Sequence, residues 1–318
     1  MRARPSSSRN WKATASKPNR PPALTRQALT AIKTEVNDTP TLAQALAQAH
    51  TLGLARIDAQ MLLLHALDRP DAGRAWLLAH DTDALTHGQQ ARFLALCQRR
   101  AAGEPVAYLT GVKEFYGLLL HVDTRVLDPR PDTETLVDWA LEVIAPPHLS
   151  SPAPRIADLG TGSGAIALAL QSQRPTARVL AVDASEDALA VAQANAERLG
   201  LPVRFQKAHW LAGVEGPFDA IVSNPPYIAA HDPHLAALTH EPLQALASGP
   251  DGLDDLRAIV AQVPARLAPG GWLLLEHGHD QAGAVRALLA AQGFAQVQSR
   301  DDLAGIARCS GGQWRTVK

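Results

Sequence analysis

Cysteine is scarce in this chain of 318 residues, which holds 2, Cys97 and Cys309. Their isolation, without any CxxC spacing, excludes a disulfide framework and a cysteine-based zinc site, and it points to a reducing compartment. Both are expected to be small buried apolar side chains. Charge of one sign is also missing, since Lys+Arg 30 faces Asp+Glu 31 for a net −1. Proteins that grip long nucleic acids usually carry a basic surplus that neutralises phosphates, so no direct nucleic-acid substrate is expected. Long hydrophobic runs are absent too: nothing approaches the roughly 18–20 apolar residues needed to cross a bilayer, and no apolar segment follows the basic N-terminus. No membrane partner is expected, and the location implied is cytoplasmic.

What is present is an ordinary globular composition, with hydrophobic residues at 46%, charged residues at 19% and 23 prolines. The length suggests a catalytic domain with a smaller partner domain. Residues 1–38 are predicted to be a flexible basic tail, rich in Arg and Lys and broken by Ser6-Ser7-Ser8 and Pro21-Pro22. A mitochondrial transit peptide is the minor alternative for this tail. Residues 39–105 are predicted to form a small helical bundle. Pro40 suits a first helical turn, and Leu42, Ala45, Leu46 and Ala49 recur at helical spacing, as do Ile57, Met61 and Leu64 and then Phe93, Leu94 and Cys97. Residues 106–135 have an extended texture that predicts a hairpin linker with its turn at Asp123-Thr124 and a strand at Arg125–Leu127.

Residues 136–318 alternate strands and helices, the pattern of a doubly wound, mostly parallel α/β sheet of seven strands. Candidate strands are 155–159, 178–182, 203–206, 218–223, 271–276 and 294–298, with a final strand after a turn at Gly311-Gly312-Gln313. A helix is predicted over 256–267.

Two motifs carry chemistry. Gly160-Thr161-Gly162-Ser163-Gly164 follows a strand and opens a helix, so its glycines sit where the backbone turns sharply and approaches a ligand. Asp183 ends the next strand, where a carboxylate can accept hydrogen bonds from both ribose hydroxyls of a nucleoside. That geometry serves NAD as well as S-adenosylmethionine. The close spacing of the third glycine and the acid at Asp158, suited to a cationic cofactor, favour the latter. The second motif, Asn224-Pro225-Pro226-Tyr227, follows an apolar strand and lies at its carboxyl end, where open α/β sheets bind ligands. The prolines stiffen the loop and remove donors. Asn224 Oδ1 and the Pro225 carbonyl can then accept the two N–H bonds of a planar NH2 group, and Tyr227 can stack on its flat face. An amide nitrogen is a poor nucleophile, so alignment is the main need, and proximity can supply about 7–11 kcal/mol. No metal is required. Arg130 and Glu134, four apart at a helix start, can pair. His231, His234 and His240 form no ligand set, because Pro233 interrupts any common helical face.

Together these residues resemble the protein-(glutamine-N5) methyltransferases that modify peptide chain release factors. The likeness covers residues 39–318 and also includes Gly111–Gly117, Pro129–Glu134, His240-Glu241-Pro242 with Ala245-Leu246, Leu273–Gly278 and Asp302–Gly305. It implies a class I methyltransferase fold. It also implies that S-adenosyl-L-methionine is held by Gly160, Thr161, Gly162, Ser163, Gly164, Asp183, Trp210 and Asn224 and leaves as S-adenosyl-L-homocysteine. Asn224, Pro225, Pro226 and Tyr227 would bind the glutamine of a Gly-Gly-Gln motif, with Asn224, Pro225 and Tyr227 catalytic. Class 1 release factors would be the partners of a monomeric enzyme, contacted by the helical domain. Asp128 departs from the pattern, which has an apolar residue before Pro129. DNA adenine and RNA guanine methyltransferases share the tetrapeptide but not the flanking set, and they would predict a basic groove. A catalytically dead scaffold would not need the intact glycine loop, Asp183 and tetrapeptide.

Overall fold

The computed structural model describes residues 39–315 except 147 and 150; the tail expected at 1–38 lies outside the described residues. Five helices come first: α1 (Leu42–Thr51), α2 (Arg56–Ala66), α3 (Arg74–Ala79), α4 (His87–Ala101) and α5 (Val106–Thr110). Helix α1 starts after Pro40, because Thr41 caps it. The Thr41 hydroxyl accepts from Gln44 N at 3.3 Å, and the Gln44 side chain accepts from Thr41 N at 2.9 Å. This capping box satisfies two otherwise orphan donors, and Thr86 with Gln89 repeats it at α4. Leu62, Leu63, Phe93 and Cys97 are fully buried at the centre of the bundle. The stripe expected on α2 is rotated: Leu64 is buried, but Ile57 and Met61 are 62% and 45% exposed. Ala59, Leu62, Leu63 and Ala66 supply the inward face instead.

Strands β1 (Val112–Phe115) and β2 (Leu118–His121) form an antiparallel hairpin. Its turn is Tyr116-Gly117, both at positive φ (52° and 77°), as a two-residue hairpin turn demands, rather than Asp123-Thr124. Arg125–Leu127 adds no strand, because Asp123 Oδ1 accepts from Arg125 N at 3.0 Å and bends the chain there.

The second part holds helices α6 (Glu134–Val143), α7 (Ala165–Gln173), α8 (Glu186–Leu199), α9 (Asp254–Gln262) and α10 (Ala282–Gln292). Its strands are β3 (Arg155–Leu159), β4 (Arg178–Asp183), β5 (Arg204–Lys207), β6 (Phe218–Ser223), β7 (Leu267–Glu276), β8 (Ala295–Asp301) and β9 (Ala307–Gln313). They form one seven-stranded sheet in the order β5-β4-β3-β6-β7-β9-β8, parallel except where β9 runs antiparallel between β7 and β8. Alternate residues feed opposite faces, as the two-residue period of a strand requires. Ile156, Ala220, Val222, Trp272 and Leu274 join one apolar cluster. Ala157, Leu159, Ile221, Leu273 and Leu275 join the other. The helix predicted over 256–267 stops at Gln262. Pro264 lies in a 3-10 turn over Val263–Ala265, and Leu267 already pairs with Phe218.

Gly311-Gly312-Gln313 is no turn. Gly311 and Gly312 lie inside β9 opposite Leu274 and Leu273. A Cβ on Gly311 would sit 2.6 Å from Leu274 Cδ2, 2.7 Å from Leu273 O and 3.0 Å from the Trp139 ring. Gly311→Ala is therefore expected to destabilise the fold by about 1–3 kcal/mol through overpacking. Urea unfolding followed by circular dichroism measures this, and an unchanged midpoint would contradict the close packing.

Candidate active site

Strands β3 and β6 are parallel neighbours, with Leu159 paired to Ser223, and the Ser223 hydroxyl donates to Leu159 O at 2.7 Å. The next residues, Gly160 and Asn224, therefore leave the sheet side by side. Strand order reverses at this point, so a crevice opens beyond the carboxyl ends of the strands. It holds a cavity of about 550 Å³ whose wall includes Gly160, Gly162, Asp183, Trp210, Asn224 and Pro226.

Of the five loop residues expected to hold the cofactor, Gly160 and Gly162 line this cavity. Gly160 has φ 70°, and a Cβ there would lie 3.2 Å from the Trp210 ring, so only glycine lets the indole close that wall. Thr161, Ser163 and Gly164 build the loop from behind. The Thr161 hydroxyl donates to Asp158 Oδ2 at 2.6 Å, Ser163 O accepts from Asn195 Nδ2 at 3.0 Å, and Gly164 packs against Leu168 and Ala192. Asn195 also exchanges two hydrogen bonds with the backbone of His121, tying the hairpin to the loop. Asp158, expected near the charged end of a cofactor, is fully buried under the loop, where its Oδ2 also accepts from Ala167 N at 3.2 Å. Asp183 orients the loop through Gly162 N at 2.9 Å and Ser185 N at 2.9 Å, one to each carboxylate oxygen, which leaves a further lone pair on each. The indole Nε1 of Trp210 is buried and has no hydrogen-bond partner among the described residues.

In the tetrapeptide, Asn224 Nδ2 donates to Thr133 Oγ1 at 3.2 Å, which leaves Oδ1 to accept. Asn224 and Pro226 face the cavity, whereas Pro225 is buried. The Tyr227 ring, expected to stack on the substrate, packs against the apolar cluster on one face of the sheet. Its phenol lies 3.5 Å from Glu276 Oε1, and its carbonyl accepts from Gln281 Nε2 at 3.0 Å. Burial, reinforced by the Glu276 charge, pushes the phenol pKa up.

Arg130 and Glu134 do not pair, because a 3-10 turn over Pro131–Thr133 separates them. Arg130 instead binds Glu241 Oε1 at 2.5 Å and Asp128 Oδ2 at 3.3 Å, while Glu134 Oε1 accepts from Tyr116 N at 3.0 Å. Asp128, the departure from the family pattern, is accommodated as an ion-pair partner, lying 3.1 Å from Lys113 Nζ in the hairpin. Gln244, Ala245, Pro242 and His209 also line the cavity. The two motifs give these four no role, although Pro242 and Ala245 belong to the resemblance at His240-Glu241-Pro242 and Ala245-Leu246. Among the described residues no three His, Cys, Asp or Glu side chains gather as a metal-binding group.

Two buried carboxyls are strongly perturbed. Burial pushes Asp158 up to about 7, with hydrogen bonds from Thr161 and Ala167 N opposing it and the Asp183 charge adding to it. Burial likewise pushes Glu276 up to about 7, against donation from Thr133. In the unfolded chain such groups ionise near 3.8 and 4.5. Between those values and about 7 the folded state holds the more protons, so stability rises as pH falls through this window, and the penalty is complete above it. At about 1.4 kcal/mol per pKa unit, Glu276 costs on the order of 3 kcal/mol at alkaline pH. Urea unfolding at pH about 5.5 and about 8 should show Glu276→Gln with the flatter dependence. Equal slopes in the two proteins would show that this carboxyl is not raised.

A family profile described as "PrmC N-terminal domain" matches residues 41–111, and one described as "Methyltransferase small domain" matches residues 134–249. The chain is 50% identical over 270 residues to the "Release factor glutamine methyltransferase" of Burkholderia pseudomallei, covering 82% of this chain and 92% of that protein. It is also 50% identical over 264 residues to the protein of the same name from Bordetella pertussis, covering 82% and 95%. Among solved structures, a methyltransferase from Pyrococcus furiosus superposes with a TM-score of 0.50 at 20% identity, covering 70% of this chain and 98% of that one. That likeness concerns the fold.

Proposed function

The chain belongs to the release factor glutamine methyltransferase family, and from that premise we propose that it methylates the side-chain amide nitrogen (N5) of the glutamine in the Gly-Gly-Gln motif of class 1 peptide chain release factors. S-adenosyl-L-methionine is the methyl donor, S-adenosyl-L-homocysteine the product, and the modification supports translation termination. The observation that carries this function is the pairing of Leu159 with Ser223, which brings the glycine loop and Asn224 to one cavity.

The residues present fit the cofactor. Asp183 retains acceptor lone pairs for ribose hydroxyls, Gly160 and Gly162 present bare backbone, and the orphaned Trp210 Nε1 sits in a wall flat enough to border an adenine. When bound, S-adenosylmethionine supplies an electrophilic methyl group on a sulfonium. Asn224 Oδ1 and the Pro225 carbonyl accept the two amide N–H bonds of the glutamine, so its nitrogen is held in front of that methyl. Accepting oxygens also stabilise N–H bonds that become acidic as the new bond forms, which removes the need for a strong base. Residues 39–105 and the hairpin linker at 106–135 would contact the release factor, placing its loop over the methyltransferase domain at 136–318.

The test is incubation of the purified chain with radiolabelled S-adenosylmethionine and either unmodified release factor or DNA. Label on the Gly-Gly-Gln glutamine of the release factor is expected. Label in DNA alone would overturn the proposal.

A further inference from the structure

Besides the glycine loop and the tetrapeptide, two stretches of irregular chain wall the cofactor cavity, one containing Val126 and Leu127 and the other Pro242, Gln244 and Ala245. Neither belongs to a strand or an α-helix: the first follows the hairpin without pairing, and the second carries a 3-10 turn over Leu243–Ala245. Behind them lies a second cavity of about 370 Å³, whose lining includes Lys113, Asp128, Arg130, His240 and Glu241. The chain thus presents Leu127 to one cavity and Asp128 to the other, and likewise Pro242 and Glu241. With open space at their backs, these walls are not held by packing alone.

What fastens them is the carboxylate of Glu241, a side chain only 2% exposed. Its Oε1 accepts from Arg130 Nη2 at 2.5 Å and its Oε2 from Asp128 N at 3.3 Å, so it grips the other stretch at a side chain and at the backbone. Arg130 reaches back to Asp128 Oδ2 at 3.3 Å, and Lys113 Nζ lies 3.1 Å from Asp128 Oδ1. Two bases therefore balance two buried acids, as burial of carboxylates requires. Each stretch is gripped one residue from where it lines the cofactor cavity, at Asp128 beside Leu127 and at Glu241 beside Pro242. Further on, Leu246 O accepts from Ile228 N at 2.9 Å, directly after Tyr227, which ties the second stretch to the tetrapeptide at its other end.

We propose that Arg130 and Glu241 are positioning residues for the cofactor, a latch that holds the two walls closed on S-adenosylmethionine. The proposal rests on the reading that this cavity takes S-adenosylmethionine. It gives a role to Arg130 and to His240-Glu241-Pro242, which neither motif explains. A bound cofactor selects the closed arrangement, so a broken latch weakens binding in proportion to the fraction of molecules closed beforehand. At saturating cofactor the walls are closed again, and the methyl-transfer step is little changed.

The experiment measures S-adenosylmethionine affinity by calorimetry in the wild-type chain, in Glu241→Gln, in Arg130→Met and in the double variant. Glu241→Gln keeps the shape but sets an NH2 group against Arg130 or Asp128 N, both of which are donors. If about one molecule in ten remains closed, Kd rises about tenfold, while kcat at saturating cofactor stays within about threefold. Because both single changes break one latch, the double variant should bind about as well as the weaker single, rather than showing the product of the two losses. Arg130→Lys is the milder variant, keeping the charge but serving only one of the two carboxylates, and its Kd should fall in between. Its amide exchange at Val126 and Ala245 should be faster than in the wild-type chain and should slow again when S-adenosylmethionine is added. Unchanged affinity in both single variants, losses that multiply, kcat falling as far as affinity, or wild-type exchange rates in Arg130→Lys would each overturn the latch. If the wild-type chain binds no S-adenosylmethionine, the cofactor reading itself falls, and the two failures are thereby distinguished.

Discussion

Asn224→Ala is expected to reduce methyl transfer to a release factor by about a thousandfold, while S-adenosylmethionine binds within a few fold of its wild-type affinity. The first part follows from what the side chain supplies. Its Oδ1 is the side-chain acceptor left on the tetrapeptide once Nδ2 is committed to Thr133. Losing one preorganised polar group from a reacting centre typically costs 10²–10³ in kcat, or about 3–4 kcal/mol. Lost alignment adds to that, because the amide would keep one anchor and rotate. The second part follows from the cavity wall, where Gly160, Gly162, Asp183 and Trp210 remain intact. Kinetics with labelled cofactor and calorimetry on the same protein separate the two. A fall in cofactor affinity as large as the fall in kcat would mean that Asn224 chiefly holds the cofactor.

Trp139→Ala should destabilise the protein by about 3–5 kcal/mol, the range seen when a large aromatic leaves a core. Trp139 on α6 is fully buried, its ring centroid lies 6.2 Å from that of Trp272, and the Arg300 guanidinium lies 4.6 Å over its face. The Arg300 side chain also pairs with Glu142 on the same helix. Removing the indole would leave a hole between α6 and the strands β7 and β9, where Gly311 has no side chain to fill it. A whole domain is typically stable by only 5–15 kcal/mol, so this one change approaches the limit of what it tolerates. Urea denaturation at fixed pH measures it, and a loss below about 1 kcal/mol would mean that the helix is anchored elsewhere.

The glycine loop and the tetrapeptide were legible in the sequence because their chemistry is local: glycine and proline constrain the backbone at their own positions whatever surrounds them. The alternation of strands and helices was legible for a similar reason, since periodicity reports burial on each face. The hairpin turn was misplaced because Tyr116-Gly117 requires a tyrosine at positive φ, which propensity does not anticipate. The inward face of α2 was misjudged because Leu62-Leu63-Leu64 offers several adjacent faces, and only packing within the bundle selects one.

By itself, then, the sequence determined the alternation of strands and helices, the glycine loop and the proline-stiffened tetrapeptide, because each is written in local positions. The tertiary structure decided which of those residues face the cavity and which support it. Thr133 and Asn224 lie 91 positions apart, and Arg130 and Glu241 lie 111 apart. Glu276 enters the site through the register of β7 on β6. Which donors and acceptors meet is decided by strand order and packing rather than by neighbours along the chain.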